Sequence, residues 1–146
     1  FALKETFKNF SYFGKGEKDT YIDRDHALTD FYSENVDPNY IPYLKPQEHG
    51  NHTDCKWCSL SNDTIQVNIK SEKMECMASK YSFMHLYNAN HTFELPQTNT
   101  THLRITKQQM GVGGINSWGA KVQPQYLIDQ SKNLDFTCTL YISKKD

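Results

Sequence analysis

The chain has 146 residues, 37% of them hydrophobic and 13% aromatic, and 16 basic against 17 acidic side chains leave a net charge of −1. The basic residues are scattered rather than drawn into a stripe, which excludes the electrostatic footprint of a nucleic-acid binder. No apolar run approaches the roughly 18 residues that a membrane-spanning helix needs. Nine Tyr and eight Phe stand beside few aliphatic fillers, a balance that suits a chain completing its core partly against other polypeptide and, nearly as well, a small aromatic-rich domain standing alone.

Taken in chain order, the opening Phe1-Ala2-Leu3 has no initiator methionine, charged region or apolar region, and is expected to begin a fragment or a processed chain rather than a signal peptide. Glu17, Asp19, Asp23 and Asp25 cluster on a turn that is expected to be solvated or salt-bridged, with Tyr21, Asp23 and Arg24 as its anchors and Arg24 pairing an acidic neighbour. Residues 36–48 carry Pro38, Pro42 and Pro46 among tyrosines and read as an extended, irregular segment running over a surface. Pro46, Gln47, Glu48 and Gly50 read as structural turn residues.

Strand signals then dominate. Lys56–Leu60 fits a strand that ends at Ser61-Asn62-Asp63 and places Trp57 in the core. Asp63–Lys70 alternates polar and apolar residues, the pattern of a half-buried strand. Ser82 is positioned to cap a short helix through Leu86, ended by Asn88-Ala89-Asn90. His102–Thr106 is a short strand, and Asp135–Ile142 is another with Phe136, Cys138, Leu140 and Ile142 on one face. Short strands separated by turn signals predict one all-β domain over 1–146, an antiparallel β-sandwich or barrel-like unit with at most one short helix.

Cys55-Lys56-Trp57-Cys58 is a CxxC pair, whereas Cys76 and Cys138 stand alone. His49 and His52 lie near the pair, yet a structural zinc site wants a second pair or regular His spacing, so no metal ligand is assigned. Unpaired, mostly buried thiols in a reducing compartment are expected instead. Asn-x-Ser/Thr triplets at Asn9, Asn51, Asn62, Asn90 and Asn99 follow from an Asn- and Thr-rich composition and carry little weight.

The stretch KQQMGVGGINSWGA, residues 107 to 120, sets glycines 111, 113, 114 and 119 around Trp118. Glycine allows positive φ and close backbone approach. A phosphate cradle would also need a Lys-Ser/Thr or a helix after it, and neither follows. Two readings remain: a tight turn between strands whose Trp118 folds into the core, or a loop that carries an indole out to a binding site.

Three stretches in this order, SYFGKGEKDTYIDR (11–24), PYLKPQEHGNHTDCKW (42–57) and MGVGGINSWGAKVQPQYLI (110–128), resemble the C-terminal domain of β-galactosidases of glycoside hydrolase family 2. In some bacteria that domain is the small subunit of a two-chain enzyme. SKYSFMHLYNANHTFEL (79–95) is similar to the family's short helix and following strand. Three positions depart from the pattern: Glu17 stands where the family has proline, Asp19 where it has glutamate, and Asn116 where aspartate is common.

The resemblance implies a large antiparallel supersandwich, galactose-mutarotase-like, of which this chain is the C-terminal half. It implies that the two catalytic glutamates lie on a (β/α)₈ barrel, which this chain does not contain; the chain is too short for a barrel of about 250 residues. It assigns no catalytic residue here. It implies that Trp118, with Asn116 and Ser117, lines the aglycone subsite of a β-galactoside such as lactose, and that Gly111, Gly113 and Gly114 shape its loop. Gly14, Gly16 and Asp19 correspond to a mobile turn at the mouth of the site. The expected partners are the barrel and other domains or large subunit of one β-galactosidase, itself an oligomer, with no nucleic acid and no membrane. No cofactor is expected in this chain, and Mg²⁺ with a monovalent cation in the full enzyme. The expected location is the bacterial cytoplasm. A structural or oligomerisation module and a free-standing carbohydrate-binding module are the alternatives.

Overall fold

A computed structural model describes residues 1–36, 42–116 and 118–145. Its strands are β1 (Ala2–Lys4), β2 (Asn9–Lys15), β3 (Thr29–Asn35), β4 (His52–Ser61), β5 (Ile65–Ser79), β6 (Thr100–Thr106) and β7 (Thr139–Lys144). One helix of six residues, α1 (Phe83–Asn88), and two short 3-10 turns complete the described elements. The strands form one antiparallel sheet in the order β1-β6-β5-β4-β2-β3, with β7 also on β5. The all-β antiparallel class is the expected one, and this single sheet is consistent with one layer of the expected sandwich.

The 15-residue β5 organises the sheet. Along one edge its first part pairs β7 over Ile65–Lys70 and its last part pairs β6 over Glu75–Ser79, while β4 runs along the other edge. Near the change of partner, β4 shifts register between His52 and Cys55 and again between Cys55 and Trp57. Asp54, inside these bulges, has φ 55°. Bulges bend and twist a strand, so the sheet curls here. Lys73 at 2.5 Å and Lys15 at 3.0 Å hold the Asp54 carboxylate. These lysines, Lys73 foremost, keep its carboxyl below the usual range against partial burial.

Cross-strand pairs build the core. Phe10 lies opposite Leu60, and Tyr12 opposite Cys58, which in turn faces Ile69. Phe10, Leu60, Ile69, Met74 and Leu103 are all fully buried; each such side chain contributes roughly 1.5–3 kcal/mol by leaving water. His52 stacks on Tyr12 at 4.0 Å. Gly14 belongs to this packing, because a Cβ there would overlap Cys55 Sγ.

Ser82 caps α1 as the sequence predicts: its hydroxyl accepts from His85 N–H at 3.2 Å, and His85 Nδ1 accepts from Ser82 N–H at 3.3 Å. Two expectations are corrected. Trp57 is half-buried on the outer face, against Phe31 at 5.8 Å between ring centres, because the register puts Phe13 and Phe31 on its side of the sheet. The last strand begins at Thr139, not Asp135, and Leu140, Ile142 and Cys138 are exposed. Only Phe136 of that predicted face packs, in part, on the core. All four cysteines are free thiols; Cys55, Cys58 and Cys76 are buried. Of the predicted irregular segment, residues 37–41 lie outside the described residues, and 42–48 form neither strand nor helix.

Candidate functional site

Residues 107–138 connect β6 to β7 without an intervening strand, so the Gly-rich stretch sits in a long loop rather than a tight hairpin turn. Loops of this length in a compact fold are uncommon and often functional. The loop is first held at Gln109. Its backbone N–H donates to Glu75 Oε2 at 3.1 Å, and its side-chain Nε2 donates to Asn51 Oδ1 at 2.7 Å. Asn51 Nδ2 donates in turn to Glu75 Oε2 at 2.8 Å and to the Thr20 carbonyl at 3.1 Å. Burial pushes the Glu75 carboxyl up to about 7, although these donors favour its charged form.

A second hold follows four residues later. Gly113 N–H donates to Asp23 Oδ2 at 2.8 Å, and Gly111 N–H donates to the Tyr126 carbonyl at 2.8 Å. A Cβ on Gly111 would stand 2.5 Å from Asp23 Oδ2, and one on Gly113 3.2 Å from it. A Cβ on Gly114 would meet the Ala120 carbonyl at 2.5 Å. Close approach therefore explains these three glycines. Positive φ does not, since among the described residues of the stretch it occurs at Gly119, at 84°, and at none of these three.

Beyond the holds, Asn116 Oδ1 accepts from Trp118 N–H at 2.9 Å, an Asx turn that fixes the backbone entering the tryptophan. Trp118 is 90% exposed and Ile115 is exposed beside it. Of the two readings, the indole outside the core is the observed one. Ser117 lies outside the described residues.

The turn after β2 is built from the same neighbourhood. Gly14 is inside β2, and Gly16, at φ 81°, starts the turn with its carbonyl accepting from Tyr12 OH. Asp19 pairs Arg24 at 3.2 Å and accepts from Gly50 N–H at 3.4 Å. Tyr21 and Arg24 exchange backbone hydrogen bonds at 3.2 and 2.8 Å, and Lys15 reaches Asp25 at 2.7 Å. The tight segment Tyr21–Arg24 is thus common property: Arg24 holds the turn through Asp19, and Asp23 holds the Gly-rich loop through Gly113. A groove of about 260 Å³, lined by Glu17, Asp19, Glu34, His49, His52 and Met77 among others, opens beside the turn and does not include Trp118.

The sequence did not single out Gln109, Asn51 or Glu75. The readable signal was Glu75 itself, set between Met74 and Cys76 in an apolar run, since a buried carboxylate demands donors. Glu48, read as a turn residue, is an anchor paired with Arg104. The carboxylates here hold backbone and cations: Asp19 with Arg24, Asp23 with Gly113, Glu48 with Arg104, Glu75 with Asn51 and Gln109. Among the described residues, no group of three or more His, Cys, Asp or Glu is placed to hold a metal ion.

The family model described as "Beta galactosidase small chain" matches residues 1–140. The chain is 33% identical over 135 residues to a β-galactosidase of Streptococcus thermophilus, an alignment covering 90% of this chain and 13% of the relative. It is 33% identical over 147 residues to a β-galactosidase of Bifidobacterium adolescentis, covering 96% and 14%. A β-galactosidase of Priestia megaterium is 34% identical over 143 residues, again 96% and 14%. The chain thus spans only about one-seventh of the length of these relatives, and with the family model covering nearly all of it, the chain belongs to the β-galactosidase small-chain family.

Proposed function

We propose that this chain is the C-terminal half of the small-chain domain of a retaining β-galactosidase, and that it completes the aglycone subsite without supplying the catalytic carboxylates. The observation that carries the reading is Trp118: a 90% exposed indole on a loop whose base is fastened to β5 and to the turn after β2. An exposed tryptophan is a large apolar plate with only two side-chain torsions, so ordering it on a ligand costs less than ordering a longer side chain. A sugar offers such a plate its face of C–H bonds. Asn116 shapes the approach, and Ser117 follows it in the chain.

Retaining hydrolysis needs two carboxyl groups about 5 Å apart, one acid and one nucleophile. The carboxylates around the loop are committed to structural partners, which supports placing both catalytic glutamates on another domain of the same protein. In this reading the groove without Trp118 is not the sugar site; the saccharide is enclosed between the indole and the barrel. The turn at Gly16 to Asp19 shifts as substrate settles, with Gly16 as its one glycine hinge, since Gly14 is packed inside β2. The whole enzyme is an oligomer of the bacterial cytoplasm, with Mg²⁺ and a monovalent cation bound by its other domains. No described helix is long and apolar enough to cross a membrane.

Replacing Trp118 by Ala in the full-length protein tests the reading. Lactose or acceptor binding weakens several-fold more than hydrolysis of a small aryl galactoside. Equal losses on both substrates, or none, would remove the subsite role. A purely structural module is the second reading, favoured by the exposed Phe83, Tyr87, Phe93 and Leu44, which suit contact with other domains. The two roles coexist unless Trp118 proves silent. A free-standing sugar-binding module would show galactoside affinity in calorimetry of the isolated chain, and none is expected.

A further inference from the structure

The Gly-rich loop has two kinds of backbone. Up to Gly113 it is tied to β5 and to the turn after β2, and beyond Gly114 Ile115, Asn116 and Trp118 are exposed. The ties come from residues far away in sequence: Gln109 to Glu75 on β5, and Gly113 to Asp23 in the turn after β2. Gly111, between them, is packed so closely on Asp23 and Tyr126 that a Cβ there would force them to shift. The last tie to distant chain before the tryptophan is therefore a carboxylate oxygen, with a charge-assisted hydrogen bond stronger than a neutral one, and only the local Asx turn at Asn116 follows it.

We propose that Asp23 and Glu75 are positioning residues for Trp118, setting the reach and angle of the indole and so the enzyme's discrimination between saccharide and small aryl aglycones. This rests on the aglycone reading above. Neither carboxylate contacts the sugar. Asp23 acts through Gly113 and Gly111, and Glu75, with Asn51, acts through Gln109. Asp23 is the sharper of the two, because it lies nearer to Trp118 along the loop. It also links that loop through Arg24 and Asp19 to the turn at Gly16.

The experiment uses the full-length β-galactosidase, with hydrogen exchange read by mass spectrometry over residues 107–120 and kinetics on lactose and on a small aryl galactoside. Asp23→Ala removes the acceptor, and exchange at Gly113 rises roughly tenfold, as loss of a hydrogen bond to a charged group implies. KM for lactose rises several-fold while the aryl galactoside changes by less than about twofold. Asp23→Asn retains an acceptor oxygen without the charge, and its exchange falls between that of Asp23→Ala and the parent. Glu75→Gln gives a second, independent readout, a smaller rise centred on Gln109. In a Trp118→Ala background, Asp23→Ala has no further effect on lactose, because the plate it aims is gone.

Unchanged exchange in Asp23→Ala overturns the proposal, as does a further independent loss in the double variant. If exchange rises but Trp118→Ala alone leaves lactose kinetics untouched, the aglycone reading falls, and the fastening of the loop by Asp23 stands.

Discussion

Arg104 and Glu48 meet fork to fork: Nη1 donates to Oε2 at 2.8 Å and Nη2 donates to Oε1. Tyr21 OH donates to the same Oε1 at 3.3 Å. One carboxylate thereby fastens β6, the segment before β4 and the Tyr21–Arg24 turn to one another. The planar guanidinium suits a bidentate partner in a way that a lysine ammonium does not.

Arg104→Lys is expected to destabilise by about 1 kcal/mol and Arg104→Ala by about 2 kcal/mol, since each leaves a half-buried carboxylate short of donors. Urea midpoints of the variants check the order. Equal stability of Arg104→Ala and the parent would show that the pair is merely superficial.

Glu75 predicts a pH slope. Its folded carboxyl titrates at about 7 against an ordinary 4.5, with burial the leading cause and Asn51 and Gln109 opposing it. Between those values the folded chain binds a proton that the unfolded chain has released, so this group's contribution to stability falls as pH rises from about 4.5 to 7. The full change is on the order of 3 kcal/mol. Glu75→Gln removes that slope, and stability measured at pH 5 and pH 8 differs less in the variant than in the parent. An identical pH difference in both would place the titration elsewhere.

Two glycines with positive φ should respond unequally to alanine. At Gly16, φ is 81° and a Cβ would lie 2.7 Å from the Lys18 carbonyl, so strain and overlap add. At Gly119, φ is 84° but nothing stands within 4 Å. Gly119→Ala is expected to cost about 1 kcal/mol from the left-handed backbone alone, and Gly16→Ala more than about 2 kcal/mol. Thermal shifts rank the two, and the reverse order would mean that the turn relaxes freely.

Trp118→Ala should leave stability within about 0.5 kcal/mol of the parent, as for other exposed sites. Phe10→Ala, by contrast, opens a cavity in the core at a cost of roughly 3–5 kcal/mol. A destabilisation by Trp118→Ala similar to that of Phe10→Ala would place the indole in packing rather than on the surface.

Polar–apolar alternation in sequence revealed the first half of β5 and the short β6, and Ser82 marked α1. In the first half of β5 the alternation outlived the burial, since Asn68 is buried between Val67 and Ile69. The second half escaped because its sequence runs Met74-Glu75-Cys76-Met77, buried throughout and without period two. β3 escaped for the opposite reason: six of its seven residues are exposed, and Phe31 points outward to Trp57. β2 was hidden by Phe13, an aromatic on the outer face, followed directly by Gly14. At the site, Trp118 and its glycines stood out by composition. Their fasteners did not, because Asp23, Asn51 and Glu75 become neighbours of the loop only through sheet pairing.

That dependence on distant chain also orders assembly. Gly113 and Asp23 are 90 residues apart, and Gln109 and Asn51 are 58 apart. Closing such spans is entropically unfavourable until the intervening strands have already condensed. A nascent or half-folded chain accordingly keeps its indole untethered, and the edge that carries Trp118 ripens last, as a late seal on contacts made before it.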